Sequence, residues 1–173
     1  MSESGKQNLK DILGKCYEEY SDAIFRYCYF HTGNREKSLD ITQDTFIKTW
    51  DYVSSSKNVE NLRPFLYKVA KNLIIDERRK KKSGSLDELT EAGFEPENEI
   101  SEMEIKEDRY ERKILLDTVG ELDPIYKDVI LLRYVEDMSI KEIANVLREN
   151  ENNISVRIHR GIEKLKNILN SEK

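Results

Sequence analysis

No stretch of this 173-residue chain approaches the roughly 20 consecutive apolar residues that a membrane span requires. Its start, MSESGKQNLK, lacks the apolar core of a secretory signal, so a cytoplasmic location without membrane insertion is expected. Cysteine is scarce. The two present, Cys16 and Cys28, sit at helical spacing on an apolar stripe and read as reduced core thiols, not as a disulfide framework. Cys28 and His31 would make half of a metal site, but no second ligand pair exists elsewhere, so no metal and no cofactor is assigned. The two histidines, His31 and His159, fall in different halves of the chain. With no glycine-rich phosphate loop and no defensible carboxylate pair, enzymatic chemistry is the least supported class. The apolar fraction is a modest 38%, which argues against one deep core and for two small helical domains.

The net charge of -5 would speak against nucleic acid if it were spread evenly, but it is segregated. Residues 63–82 hold 8 basic and 2 acidic side chains, a local charge of +6. Residues 83–112 hold 11 acidic and 3 basic ones, a local charge of -8. Local fields decide what docks, so an acidic total can hide a basic docking surface beside an acidic tether.

Apolar residues at Leu9, Ile12, Leu13, Cys16, Tyr20, Ile24, Tyr27 and Cys28 recur in steps of three and four, the signature of one helix face. Gly33 stops that helix and Asn34 can cap the next, whose apolar stripe runs through Leu39, Phe46, Ile47, Trp50 and Val53. After a serine-rich loop at residues 54–58, Asn61 can cap a third helix in which Pro64 is tolerated in the first turn. Its core stripe reads Leu62, Phe65, Leu66, Val69, Ala70 and Leu73. At 100° per residue, Lys68, Lys71 and Ile75 lie opposite that stripe, with Tyr67 and Asn72 on its borders. A basic face with an aromatic edge, ending in Arg78 to Lys82, suits single-stranded nucleic acid: bases stack on rings while ammonium groups follow phosphates. A solvated lysine-rich surface is the plainer alternative. Residues 83 to about 104 hold Gly84, Gly93, Pro96 and most of the acidic block with weak periodicity, and read as a flexible linker.

Helical patterning resumes near Ile105 and runs through Ile114, Leu115 and Val119, and Asp123-Pro124 marks another helix start. The helix from Ile125 to Tyr134 is apolar on nearly all sides and is expected to be buried between neighbours. Ser139 and Glu142 have the spacing of a capping box, opening a helix whose inner face is Ile140, Ile143, Ala144 and Leu147. After the turn at Arg148 and Glu149, Asn150 can cap a last helix that turns Ile154, Ile158, Gly161, Ile162, Leu165, Ile168 and Leu169 inward. Two short helices joined by a tight turn form a helix-turn-helix. Opposite the apolar stripe lie Asn152, Val156, His159 and Arg160, flanked by Asn153, Ser155, Arg157 and Lys164. These side-chain types read base edges and grip phosphates: Asn to adenine, Arg to guanine or phosphate, an aliphatic group to a thymine methyl. The fold class is therefore all-α, with two small helical domains joined by an acidic flexible linker, the C-terminal one a helix-turn-helix.

Three segments together resemble one family. YSDAIFRY (20–27), GNRE (33–36) and DITQDTFIKTW (40–50), then RPFLYKVAKNLIID (63–76), then LDP (122–124), VILLRY (129–134), MS (138–139) and EIA (142–144) are similar, in order and spacing, to the bacterial RNA polymerase sigma factors of the extracytoplasmic-function (ECF) group. The resemblance implies a region 2-like domain at 1–82, a connector at 83–112 and a region 4-like domain at 113–173. It implies that Asp40, Gln43 and Asp44 bind the clamp helices of core RNA polymerase, with Phe46 and Trp50 holding the helix to its neighbours. Asn61, Arg63, Tyr67, Lys68, Lys71 and Asn72 would recognise and melt the minus-10 element, with the serine-rich loop lining a pocket for an extruded base. Asn152, Asn153, Ser155, Val156, Arg157, His159 and Arg160 would read the minus-35 element in duplex promoter DNA. The acidic connector would imitate RNA electrostatically in the polymerase channels. Family members are often held by an inhibitory anti-sigma factor, and the resemblance allows such a partner without identifying it.

The chain departs from the pattern of the family it resembles at several positions. Phe65 stands where many members have tryptophan. Arg148 and Glu149 replace the usual glycine and aliphatic residue of the turn, so a left-handed conformation there would be strained. Asp137 replaces another frequent glycine, at a lower cost for Asp. Glu151 suits the helix dipole but repels phosphate, which favours Asn152 and Asn153 over it for DNA contact. Two alternatives compete with the sigma-factor reading. A stand-alone helix-turn-helix regulator of duplex DNA would have no need of the basic, aromatic third helix, and a protein-only adaptor would leave the polar reading face unexplained.

Overall fold

The computed structural model describes residues 3–55, 58–83 and 105–171, which form helices and short connections with no strand among the described residues. The chain divides into two units, Met1–Thr90 and Glu91–Lys173. The first holds α1 (Glu3–Thr32), α2 (Arg35–Ser54) and α3 (Leu62–Ser83), each packed on the other two. The second holds α4 (Ile105–Glu121), α5 (Pro124–Ile130) with a wide helical turn at Leu131–Val135, α6 (Ile140–Leu147) and α7 (Glu151–Ser171). The acidic block at 84–104 lies outside the described residues, and α4 begins inside the 83–112 span read as linker.

The punctuation of the first unit follows from its residues. Gly33 takes φ of 62°, the left-handed conformation that ends a helix at least cost in glycine. Asn34 then accepts the Lys37 N–H at 2.9 Å and caps α2. Leu13, Cys16, Ile24, Tyr27 and Cys28 of α1 form the core with Leu66, Tyr67, Ala70 and Ile74 of α3. Burial pushes the Cys28 thiol up to about 12, against the opposing pull of the Thr42 hydroxyl, so it is protonated at neutral pH and chemically quiet.

The stripe expected on α2 is not its core face. Leu39, Ile47 and Trp50 are exposed, and the helix instead buries Ser38, Ile41, Thr42, Thr45 and Thr49. The cause is local hydrogen bonding. Each hydroxyl donates to the carbonyl four residues back: Ser38 to Asn34 at 2.7 Å, Thr42 to Ser38 at 2.6 Å, Thr45 to Ile41 at 2.7 Å and Thr49 to Thr45 at 2.8 Å. With its polar atom satisfied, a threonine can be buried as a small apolar side chain.

In the second unit Pro124 occupies the first turn of α5, where its missing N–H costs nothing. Val129, Ile130, Leu131 and Leu132 are buried and draw Lys127 and Asp128 in with them, whereas Ile125 and Tyr134 stay exposed. The burial expected all round this segment is therefore only partial. Gly161 of α7 lies against α5, where an added Cβ would stand 3.0 Å from Cγ1 of Ile130. Glycine is what lets those two helices approach so closely.

The capping box forms in full. Glu142 N–H donates to Ser139 Oγ at 3.2 Å, and Ser139 N–H to Glu142 Oε2 at 2.9 Å. After α6, Arg148 adopts φ 55° and ψ 45°, and Asp137 adopts φ 50° ahead of it. Both are left-handed although neither is glycine, so the turn keeps the conformation and carries the strain instead of loosening. For a side chain with a Cβ this conformation costs about 1–2 kcal/mol. Replacing the exposed Arg148 with glycine removes that strain while loosening the unfolded chain, so Arg148→Gly is expected to stabilise the second unit by about 1 kcal/mol. The chemical-denaturation midpoint of the full chain, followed by circular dichroism, measures this. A lower midpoint would show that the turn is not strained.

Candidate nucleic-acid interface

Two helices carry the residues singled out for nucleic acid. On α7, Asn150 accepts the Asn153 N–H at 2.8 Å and so caps the helix. Ile154, Ile158 and Gly161 are buried, which sets the opposite face outward. Asn152, Asn153, Ser155, Val156, His159 and Arg160 are all exposed there. Val156 is 47% exposed, an aliphatic group in the middle of a polar surface. His159 lies 3.4 Å from Glu163 one turn on, and the Ser155 hydroxyl donates to the Glu151 carbonyl at 3.0 Å. Arg157 is half-buried and ion-paired with Glu149 at the end of the turn. It is thus partly withdrawn from the face on which the helical wheel places it.

On α3 the outcome is mixed. Asn61 and Asn72 are exposed, and Arg63, Lys68 and Lys71 are half-buried. Asn61 Oδ1 accepts the Arg63 N–H at 3.1 Å, tying the helix start to the loop before it. Tyr67 must be corrected. Its side chain is fully buried, with its ring edge-on to Tyr27 at 5.4 Å, so it has no face left for a base. The core stripe of α3 is rotated by about one residue from the expected one: Tyr67 and Ile74 are in the core, while Phe65, Val69 and Leu73 are half-buried. Phe65 lies against Tyr52 of α2 at 4.8 Å.

The basic end of α3 is divided in use. Arg78 lies 2.9 Å from His31 Nδ1 on α1. A guanidinium can only donate, so His31 Nδ1 is the acceptor in this contact. Arg79, Lys80, Lys81 and Lys82 remain exposed. Glu77 pairs with Lys37 of α2 at 3.3 Å. Two side chains of the charged run therefore fasten α3 to its neighbours, and four cations point to solvent.

The outward face of α2 carries Asp40, Gln43 and Asp44, all exposed. Beside them stand Ile47, 57% exposed, and Trp50, 38% exposed, so Trp50 is not the anchor expected of it. Phe46 is half-buried and meets Tyr17 of α1 edge-on at 4.8 Å. With Lys10, Leu13, Gly14, Tyr17 and Phe46, the exposed pair Ile47 and Trp50 lines an apolar groove of about 370 Å³. Helical-wheel reasoning missed this surface because it turned Leu39, Phe46, Ile47, Trp50 and Val53 inward and left out Ile41, the large apolar residue that α2 buries. The signal was available in the Ser38, Thr42, Thr45, Thr49 spacing of three and four. Among the described residues no cluster of His, Cys, Asp or Glu could hold a metal ion, and no helix is long and apolar enough to cross a membrane.

Comparison with known proteins accords with this geometry. The sigma-70 region 2 family model matches residues 16–84, and the sigma-70 region 4 family model matches residues 112–165. The chain is 30% identical over 175 residues to the ECF RNA polymerase sigma factor SigW of Bacillus subtilis, covering 93% of this chain and 90% of that protein. It is 28% identical over 167 residues to the RNA polymerase sigma factor SigV of the same organism, covering 96% of each. The fold is similar to that of the sigma factor RpoE of Bartonella quintana, solved in complex with the anti-sigma factor NepR, with a TM-score of 0.72 at 16% identity over 95% of this chain and 99% of that one. It is similar also to CnrH, solved with the cytosolic domain of CnrY, with a TM-score of 0.70 at 21% identity over 95% and 91% of the two chains. The two helical units define a sigma-70-type transcription factor. The chain belongs to the ECF group of RNA polymerase sigma factors.

The burial of Tyr67 separates structure from recognition within α3. Tyr67→Ala is expected to cost about 3–5 kcal/mol of unfolding free energy, the range for emptying a buried aromatic site. Asn72→Ala, on the exposed side, should change stability by less than about 0.5 kcal/mol. Urea titrations of the full chain test this. A Tyr67→Ala variant of normal stability would return the ring to the surface.

Proposed function

We propose that this chain binds core RNA polymerase and directs it to promoters, with the labour divided between its two units. Promoter-directed transcription initiation is the function of its family, and that family's members are not enzymes. The finer assignment rests chiefly on one observation: α7 exposes Asn152, Asn153, Val156, His159 and Arg160 on a single face while burying Ile154, Ile158 and Gly161 on the other. A helix so presented can enter the major groove of the minus-35 element, with amide and guanidinium groups on base edges and phosphates and Val156 toward a thymine methyl.

The first unit would act at the minus-10 element. Asn61 just before α3 and Asn72, with Arg63, Lys68 and Lys71, lie along it where they can follow a displaced strand, and Arg79 to Lys82 extend the positive surface. Tyr67 has no direct part. The carboxylates Asp40 and Asp44, with Gln43, Ile47 and Trp50, offer a mixed acidic and apolar surface to the clamp helices of the polymerase. Such a surface combines steering by charge with burial of large side chains, the combination that gives an interface both rate and affinity. The acidic residues between the units would serve as the connector through the polymerase. An anti-sigma factor, the kind of partner NepR is for RpoE, would regulate the chain by covering these surfaces.

The test is reconstitution. The purified chain, mixed with core RNA polymerase and templates selected by that mixture from a random DNA library, should give run-off transcripts from fixed starts. Arg160→Ala is expected to weaken closed-complex formation about tenfold, as loss of one good base or phosphate contact does. Lys68→Ala should leave that step intact and slow strand opening, read by permanganate reactivity of unpaired thymines. Binding should weaken steeply with salt as phosphate contacts release counterions. If both variants fail at the same step, the division of labour is wrong. Tight duplex binding by the chain alone, without transcripts, would favour a stand-alone regulator.

A further inference from the structure

The turn between α6 and α7 contains a carboxylate that does more than complete the loop. Glu149 follows the left-handed Arg148, and its N–H donates to the Ala144 carbonyl at 3.0 Å, which fixes its backbone at the foot of α7. From there its side chain reaches two residues of the reading helix. Oε2 accepts from Nδ2 of Asn153 at 3.1 Å, and Oε1 pairs with the guanidinium of Arg157. One carboxylate thus holds a side chain from each of two successive turns.

The chemistry of this contact dictates an orientation. An ionised carboxylate only accepts, so the amide of Asn153 must turn its nitrogen toward Glu149 and its oxygen away. The amide nitrogen has two hydrogens. One is used by Glu149, which leaves the other, with the oxygen, as the donor and acceptor pair that matches the N7 and N6 edge of adenine. The Asn153 backbone N–H is meanwhile held by Asn150 at 2.8 Å, so backbone and side chain are both fixed before DNA arrives. Arg157 has its charge neutralised locally and its rotamer restrained. A cation that would attract any phosphate is thereby muted, and an amide suited to base reading is aimed.

We infer that Glu149 is a positioning residue that sets the base specificity of α7, by orienting the Asn153 amide and withholding Arg157 from phosphate. This rests on the reading of α7 as the minus-35 helix. Specificity is a difference between affinities, so a group that lowers binding to every duplex while sharpening one contact raises discrimination.

Two variants of the full chain, each assembled with core RNA polymerase, separate the two effects. Glu149→Gln keeps a carbonyl oxygen for Asn153 but loses the charge that holds Arg157. Glu149→Ala loses both. Selection from a duplex library with a randomised upstream window gives the base preference, and binding to a fixed unrelated duplex gives the unspecific affinity. Both variants should bind the unrelated duplex about threefold to tenfold tighter, with a salt dependence steeper by about one phosphate contact, because Arg157 is released and a negative charge is gone. Only Glu149→Ala should lose, by about tenfold, the preference at the position read by Asn153, a loss within the range for a misaligned bidentate contact. In an Asn153→Ala background, Glu149→Ala should cause no further loss there. A merely structural role for Glu149 predicts instead that both variants bind all duplexes more weakly in step with lost stability, and that result overturns the inference. Unchanged preference in Glu149→Ala overturns it too. If the wild-type assembly shows no upstream preference that depends on Asn153, the assignment of α7 fails first, and the inference with it.

Discussion

The arrangement of the first unit depends on the hydroxyl ladder of α2. Burying four hydroxyl side chains between helices would be costly if each had to find a partner across the interface. Ser38, Thr42, Thr45 and Thr49 avoid this by donating to carbonyls of their own helix, which leaves compact, mostly apolar surfaces facing inward. Small side chains on α2 let the neighbouring helices approach, and the bulk of the core is supplied from α1 and α3 by Tyr27, Tyr67, Ile24 and Leu66. The rotation of α2 that follows puts Ile47 and Trp50 outside, beside Asp40, Gln43 and Asp44. An apolar surface is thus made available to a partner without any loss from the core, because the core never required it.

The second unit solves a comparable problem with backbone. Presenting α7 requires a tight reversal after α6 and a close crossing with α5. Gly161 supplies the crossing, since a Cβ there would meet Ile130 at 3.0 Å. The reversal uses Arg148 in a conformation that glycine adopts more cheaply. The strain is tolerated because the capping box, the Asn150 cap and the buried Ile143, Ile154 and Ile158 hold both helices in place. Stability is given up at one residue, and the adjacent Glu149 is set where its carboxylate reaches α7.

Helix ends and the outward face of α7 were readable from sequence because their determinants are local. Gly33 with Asn34, Ser139 with Glu142, and Asn150 each act within four residues, and the structure shows each in place. A strongly periodic stripe such as Ile154, Ile158 and Gly161 admits only one inward face. On α2 the apolar residues and the hydroxyl residues each mark out a face, and the choice between them is made by packing partners far away in sequence. Counting threonine as polar then selects the wrong one. Tyr67 shows the same difficulty: a border position on a helical wheel is decided by whether a neighbour such as Tyr27 of α1 stands opposite. Side-chain pairs between elements, including Glu149 of the turn with Arg157 of α7 and Arg78 with His31, join residues that no local pattern connects.

Charge placement extends this logic to the proposed division between the units. At physiological ionic strength exposed charges more than about 8 Å apart are largely screened, so the acidic total matters less at each helix than its own side chains. Residues 63–82 carry a local charge of +6, whereas residues 151–171 carry four basic and two acidic side chains, a local charge of +2. Part of that smaller charge is already engaged, with Arg157 paired to Glu149. Attraction to phosphate is strong and indifferent to sequence, while base reading needs fixed donors and acceptors with little background. A helix with low net charge and restrained amides is suited to choosing a site. One with exposed lysines and arginine at its end is suited to holding strands once they separate. On this assignment the muted charge of α7 is a condition of its selectivity, and affinity for DNA is supplied mainly by α3 and by the polymerase that carries the chain.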